Sequence, residues 1–142
     1  MYLVSACLAG INCTYQAGNN LHPKVLELVK QKRAFLVCPE QLGGLPTPRT
    51  PAEILNNKVY MKDGKDVTSN FQKGAQETLR IIKLLNIKNA ILKQNSPSCG
   101  CGKIYDGTHS GRLILGNGIT AELLLENGIK IITEDELENI SL

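Results

Sequence analysis

The sequence predicts a three-layer α/β fold, with a mainly parallel sheet covered by helices on both faces, in a single domain over residues 1–142. Three observations predict it. Four short runs, Tyr2–Ala6, Ala34–Val37, Ala90–Leu92 and Ile129–Ile132, are too brief for helices and mostly apolar on successive residues, as strands covered on both faces are. Segments with apolar residues at helical spacing lie between them. Strands that alternate with helices in this way run parallel, because each helix returns the chain to the same edge of the sheet.

In chain order, the first strand ends at Cys7, and the chain then breaks at Gly10 and Asn12. Pro23 after His22 suits the first turn of a helix, and Val25, Leu26 and Val29 continue it to about Lys32. The second strand stops at Cys38-Pro39, where proline lacks the donor a ladder needs. Gly43 to Pro51 reads as a semi-rigid loop, since its prolines lack donors and its glycines lack stiffness. Lys58–Met61 and Lys65–Val67 flank Asp63-Gly64, which reads as a hairpin or, since the runs are short, as a plain turn. Ser69 with Gln72 reads as a capping box, opening a helix whose stripe is Phe71, Ala75, Leu79, Ile82 and Leu85. The third strand enters a turn-rich loop from Gln94 to Gly102, followed by extended chain over 103–106 and a turn at Asp106-Gly107. A helix over Thr120–Asn127 closes at Gly128, the fourth strand follows, and Thr133 with Glu136 caps a short terminal helix. This order is Rossmann-like.

Composition narrows the function. With 142 residues, 42% hydrophobic and 20% charged, the chain buries roughly two thirds of its unfolded surface and needs no disulfide staples. Sixteen Lys plus Arg against thirteen Asp plus Glu leave a scattered +3, which makes no case for duplex nucleic acid. No run approaches the roughly 20 apolar residues that span a bilayer, and Met1 to Cys13 has no basic leader, so the expected location is cytoplasmic. Five cysteines in that compartment point to metal, cluster or nucleophile chemistry rather than to disulfides.

Their placement is more informative than their number. Cys7, Cys38 and Cys99 each follow a strand, and ligands in parallel sheets bind at the carboxyl ends of strands. Three thiolates meeting there suit a soft metal or an iron–sulfur cluster. Zinc's usual two closely spaced ligand pairs are absent, since only Cys99 and Cys101 are near each other. A free cysteine is often merely a small buried hydrophobe, and the shared position after strands argues against that here. Glu40 reads as a general acid or base or as a solvated charge. Ser96 and Ser98 read as substrate contacts or as turn caps, and Arg49 as an anion or carbonyl contact or an exposed charge. His22 reads as a helix-start residue and His109 as a loop residue.

Several blocks then resemble a known family. They are Val-Ser-Ala-Cys-Leu-Ala-Gly at 4–10 with Cys13 and Tyr15, Cys-Pro-Glu-Gln-Leu-Gly-Gly-Leu-Pro-Thr-Pro-Arg at 38–49, Asp-Val-Thr at 66–68, Ser-Pro-Ser-Cys-Gly at 96–100 and Ile-Tyr-Asp-Gly-Thr at 104–108. Together they resemble the bacterial thiouracil desulfidases, first known only as a domain of unknown function, over about Tyr2 to Ile132. The resemblance implies a [4Fe-4S] cluster held by Cys7, Cys38 and Cys99, with one iron open to the sulfur of a thionated pyrimidine such as 2-thiouracil. It implies replacement of that sulfur by oxygen and release of hydrogen sulfide without net electron transfer. Glu40 is then the residue that activates water or shuttles protons, Ser96 hydrogen-bonds the ring or the developing oxygen, and Ser98 and Arg49 bind substrate. The implied partner is a small molecule, the implied assembly a monomer or small homo-oligomer. Two positions depart from the family pattern: Cys101 stands where a small residue is expected, and His109 where an aromatic one is. Cys13 is the rival to Cys7 as a ligand. A noncatalytic cluster or metal carrier or sensor is the second reading, and a cysteine-nucleophile enzyme the third, although the latter leaves two strand-end cysteines unexplained.

Overall fold

The computed structural model describes residues 1–142. Strand β1 (Tyr2–Ser5) leads through a 3-10 turn (Ala6–Ala9) to helix α1 (Pro23–Lys30), strand β2 (Ala34–Val37) and the single-turn helix α2 (Pro39–Leu42). Strands β3 (Ala52–Leu55) and β4 (Lys58–Met61) precede the long helix α3 (Thr68–Leu85) and strand β5 (Asn89–Leu92). Strands β6 (Cys101–Tyr105) and β7 (Leu113–Asn117), helix α4 (Ile119–Glu126), strand β8 (Lys130–Thr133) and a terminal 3-10 turn (Glu134–Asn139) complete the chain. No helix is long and apolar enough to cross a membrane.

Four strands form one parallel sheet in the order β2-β1-β5-β8, as the alternation of apolar runs and helices requires. Val4 pairs with Leu36 on one side and Ile91 on the other. Because side chains alternate across a strand, Leu3, Ala90 and Leu92 face α3 and α4, where they meet Ile82, Ala121 and Leu124. Val4, Ile91 and Ile132 face the opposite way, onto Val25 and Leu28 of α1 and Leu137 of the terminal turn. Each fully buried aliphatic side chain contributes about 1.5–3 kcal/mol, and this double burial explains why the strands read as continuous apolar runs.

The two antiparallel hairpins lie outside that sheet. β3 and β4 join through Asn56-Asn57, both at positive φ (51° and 64°), the conformation a two-residue hairpin turn of the right twist needs. About Asp63-Gly64 the expected turn forms with a short antiparallel pairing, Tyr60 bridging Asp66 between the Met61 N–H to Lys65 carbonyl (2.8 Å) and Val67 N–H to Val59 carbonyl (2.9 Å) bonds, while the longer partner of β4 is β3. The capping box expected at Ser69 is corrected. α3 starts two residues earlier, at Thr68 with Val67 before it, and Asp66 Oδ1 accepts the Thr68 N–H (2.9 Å) and hydroxyl (2.6 Å), while Thr68 Oγ1 accepts the Val59 N–H (2.9 Å). Tying the helix to β4 leaves Ser69 no capping role. The Thr133–Glu136 capping box forms as read, over a 3-10 turn rather than an α-helix. Cys101 and Gly102, expected in the turn-rich loop, belong to β6.

Helices α2 and α3 meet backbone to backbone. A Cβ on Gly74 would fall 2.0 Å from the Pro39 carbonyl oxygen, and one on Gly43 would fall 2.0 Å from that of Asn70. Gly74→Ala improves helix propensity by about 1 kcal/mol. Forcing backbones apart costs more, up to about 3 kcal/mol, so the variant is expected to be the less stable, seen as a lower urea midpoint at unchanged slope.

Candidate functional site

The carboxyl ends of β1, β2 and β5 are adjacent, and the residues following them surround one cavity of about 530 Å³. Cys7 sits in the 3-10 turn after β1, Cys38 at the start of α2, and Cys99 in the loop between β5 and β6. All three line the cavity, as does Cys13. Cys101 does not line it, and packs from β6 against the α3–α4 side of the core.

Local hydrogen bonding explains why Cys99 is held there. Ser96 Oγ accepts the backbone N–H groups of Ser98 (3.1 Å) and Cys99 (3.0 Å), closing the loop over Pro97. Its own hydroxyl proton is left to donate, and Ser96 lines the cavity. Ser98 points away from the cavity: it is buried, and its hydroxyl pairs with Thr120 Oγ1 at 3.1 Å. Gly100 admits no Cβ, which would meet the Ser96 and Lys103 carbonyl oxygens at 2.7 and 2.8 Å.

The thiols differ electrostatically. Burial pushes Cys7 up, against the opposing effects of Asn20 and Lys93, and pushes Cys99 up to about 12. Cys38 is drawn down to about 6, first by hydrogen bonding from Cys13 and then by the Gln41 backbone N–H and the Arg49 charge, while burial opposes them. Cys13 is driven upward by the same pairing and by burial.

Arg49 organises this corner. Its Nε donates to Glu40 Oε1 at 3.0 Å, Nη1 to Thr47 Oγ1 (2.9 Å) and the Pro46 carbonyl (3.2 Å), and Nη2 to the Cys13 carbonyl (2.9 Å) while facing Cys38 Sγ at 4.0 Å. A guanidinium has five N–H donors, and these contacts engage all of them. Its side chain is only 3% exposed. The substrate contact expected of Arg49 thus finds no spare donor, and its position ties Glu40 to the thiols. Burial raises Glu40 above the usual carboxylate range, with Arg49 opposing the rise.

The other cavity walls add His109, noted in the sequence as a departure from the family pattern, and several residues to which the sequence assigned no role. Ser5, at the end of β1, accepts the Lys93 N–H at 3.0 Å and opposes the burial that raises Cys99, whose thiol is 3.9 Å from Ser98 Oγ. Lys93 borders the cavity, with Nζ 3.5 Å from Glu134. Glu53, Lys62, Tyr105 and His109 arrive from the two hairpins. A polar residue inside an apolar strand, as in Tyr-Leu-Val-Ser, is the one signal that marks Ser5 in the sequence.

The family model for 2-thiouracil desulfurase matches residues 2–136. The chain belongs to this family. Among solved structures it is similar to TudS, a [4Fe-4S]-dependent thiouracil desulfidase, with 40% identity and a TM-score of 0.93 over 96% of this chain and 92% of that one. It is also 45% identical over 150 residues to the YbbK protein of Bacillus subtilis (strain 168), covering 99% of each.

Within this 2-thiouracil desulfurase family chain, the donor set fits an iron–sulfur group better than a lone ion. No three His, Cys, Asp or Glu side chains gather tightly enough for a single metal. A multinuclear cluster presents its irons at separate corners, so it takes thiolates from three loops around a cavity.

Proposed function

We propose that this protein is a [4Fe-4S]-dependent desulfidase that converts a thionated pyrimidine of the 2-thiouracil kind into its oxo form and hydrogen sulfide. The observation supporting it most directly is the meeting of Cys7, Cys38 and Cys99 at three neighbouring strand ends, in one cavity with Glu40 and Ser96. Those three thiolates would hold the cluster, leaving one iron without a protein ligand. When bound, such a cluster supplies a sulfur-seeking Lewis acid.

The chain's own groups account for the remaining chemistry. Water adds to the thione carbon, a C–O bond replaces the C–S bond, and sulfide leaves with the two protons of that water, so no electrons are exchanged. Glu40, held in place by Arg49 Nε, takes the first proton from the water. The Ser96 hydroxyl, its oxygen already accepting two N–H groups, donates toward the developing oxygen. Arg49 positions Glu40 and the Cys38 corner, and Ser98 supports the Cys99 loop through Thr120.

Anaerobic reconstitution followed by iron and acid-labile sulfide analysis tests the cofactor, and sulfide release from 2-thiouracil in the same sample tests the reaction. The expected result is about four irons per chain with substrate-dependent sulfide. Folded protein that takes up no iron, or takes up zinc instead, overturns the proposal. A cluster without turnover leaves the carrier or sensor reading, in which Glu40 and Ser96 have no task.

A further inference from the structure

The cavity wall contributed by the hairpins holds a second built pair. Glu53 of β3 accepts the backbone N–H groups of Gly107 (3.0 Å) and His109 (3.1 Å) on Oε1, while Oε2 lies 3.5 Å from His109 Nδ1. Both side chains line the cavity and are mostly shielded, at 11% and 16% exposure. The loop between β6 and β7 is also packed hard onto β3, since a Cβ on Gly107 would meet the Ile54 carbonyl oxygen at 2.6 Å. His109 itself adopts φ 56°, a left-handed conformation that a non-glycine residue keeps only when its surroundings enforce it. Three contacts to one carboxylate enforce it here.

This arrangement determines what the imidazole offers. In the neutral imidazole, a carboxylate beside Nδ1 favours the tautomer with its proton on that nitrogen, which leaves Nε2 as a lone-pair acceptor without a partner in the chain. The polar side chains on either side of it are occupied locally: Asp106 takes the Thr108 N–H and hydroxyl, and Thr108 and Ser110 bond each other. A thionated pyrimidine has N–H donors beside its thione carbon.

We propose that His109 is a specificity-determining residue whose Nε2 accepts a ring N–H of the substrate, with Glu53 as the positioning residue that orients it. This rests on the desulfidase reading above. A site that receives an N–H discriminates against analogues lacking it, because its acceptor is then left unpaired. The pair therefore selects pyrimidines that keep a free ring N–H next to the thione.

The test compares kcat and KM for sulfide release from 2-thiouracil and from its two N-methylated derivatives, using reconstituted wild type, His109→Phe and Glu53→Gln. Calorimetric binding of uracil is a readout independent of turnover. Glutamine retains an oxygen for the Gly107 and His109 N–H groups, so Glu53→Gln preserves the loop while removing the charge at Nδ1. Wild type is expected to prefer 2-thiouracil over one methylated derivative by about tenfold or more. His109→Phe is expected to raise KM, weaken uracil binding roughly tenfold, and abolish that preference, with iron content unchanged. Glu53→Gln should shift both in the same direction by less. An unchanged preference in His109→Phe overturns the inference while leaving the desulfidase reading intact, as does loss of iron in that variant. If wild type holds iron but releases no sulfide from any of the three, both fall together.

Discussion

Cys99→Ala is expected to yield folded protein that retains less than about a tenth of the wild-type iron after reconstitution and releases no measurable sulfide. The substitution removes a single buried sulfur, and the void it leaves is small, so the stability loss is about 1 kcal/mol. The loop keeps its shape, because Ser96 holds the backbone N–H of residue 99 rather than its side chain. What disappears is one of the three thiolates proposed to hold the cluster, and two would leave a second iron without a protein ligand. Cys101→Ala serves as the control: its residue faces the core from β6, and iron content and rate are expected to match wild type. Full iron loading in Cys99→Ala, or iron loss in Cys101→Ala, would show that the thiol set is wrongly assigned.

Glu40→Gln is expected to keep its iron and lose roughly 10²–10⁴ in kcat, the range that removal of a general acid–base group spans. Glutamine is the informative replacement. Both replacements remove the counter-charge, but the amide oxygen of glutamine still accepts from Arg49 Nε, whereas alanine would also leave that buried donor without an acceptor, at a further cost of about 1–3 kcal/mol. Loss of rate in Glu40→Gln is therefore a loss of proton acceptance rather than of structure. Iron per chain and the urea midpoint are measured alongside the rate; a kcat within twofold of wild type would remove Glu40 from the chemistry.

The edge that gathers the thiols was legible because it follows from topology. Once four apolar runs are read as parallel strands, Cys7 and Cys38 come to one side directly after β1 and β2, and the loop closed by Ser96 brings Cys99 to the same side. The hairpins were not legible in the same way. β3 follows Pro51 with no clear alternation, and β7 displays Leu113, Ile114 and Leu115, all of them exposed in the folded chain. Two-stranded units take their shape from pairing with a separate segment rather than from local pattern. Arg49 and Ser98 show a second limit. The acceptors that fill the guanidinium come from residues 13, 38, 40, 46 and 47, a convergence no spacing rule reveals. Ser96 and Ser98 are two residues apart and chemically identical, and only the folded loop turns one toward the cavity and the other toward Thr120.

The parallel sheet and the two hairpins share no strand. The thiols follow strands of the first, whereas Glu53, Tyr105 and His109 belong to the second pair of elements and the loop they support. On the roles proposed above, the reacting groups and the ring-reading pair occupy separable modules. A collection of chains randomised over 105–113 with Gly107 kept, and with Glu53 varied in concert, can search for new heterocycle preferences while the residues at the sheet edge stay untouched. A descendant of this scaffold can change what it accepts without first giving up what it does.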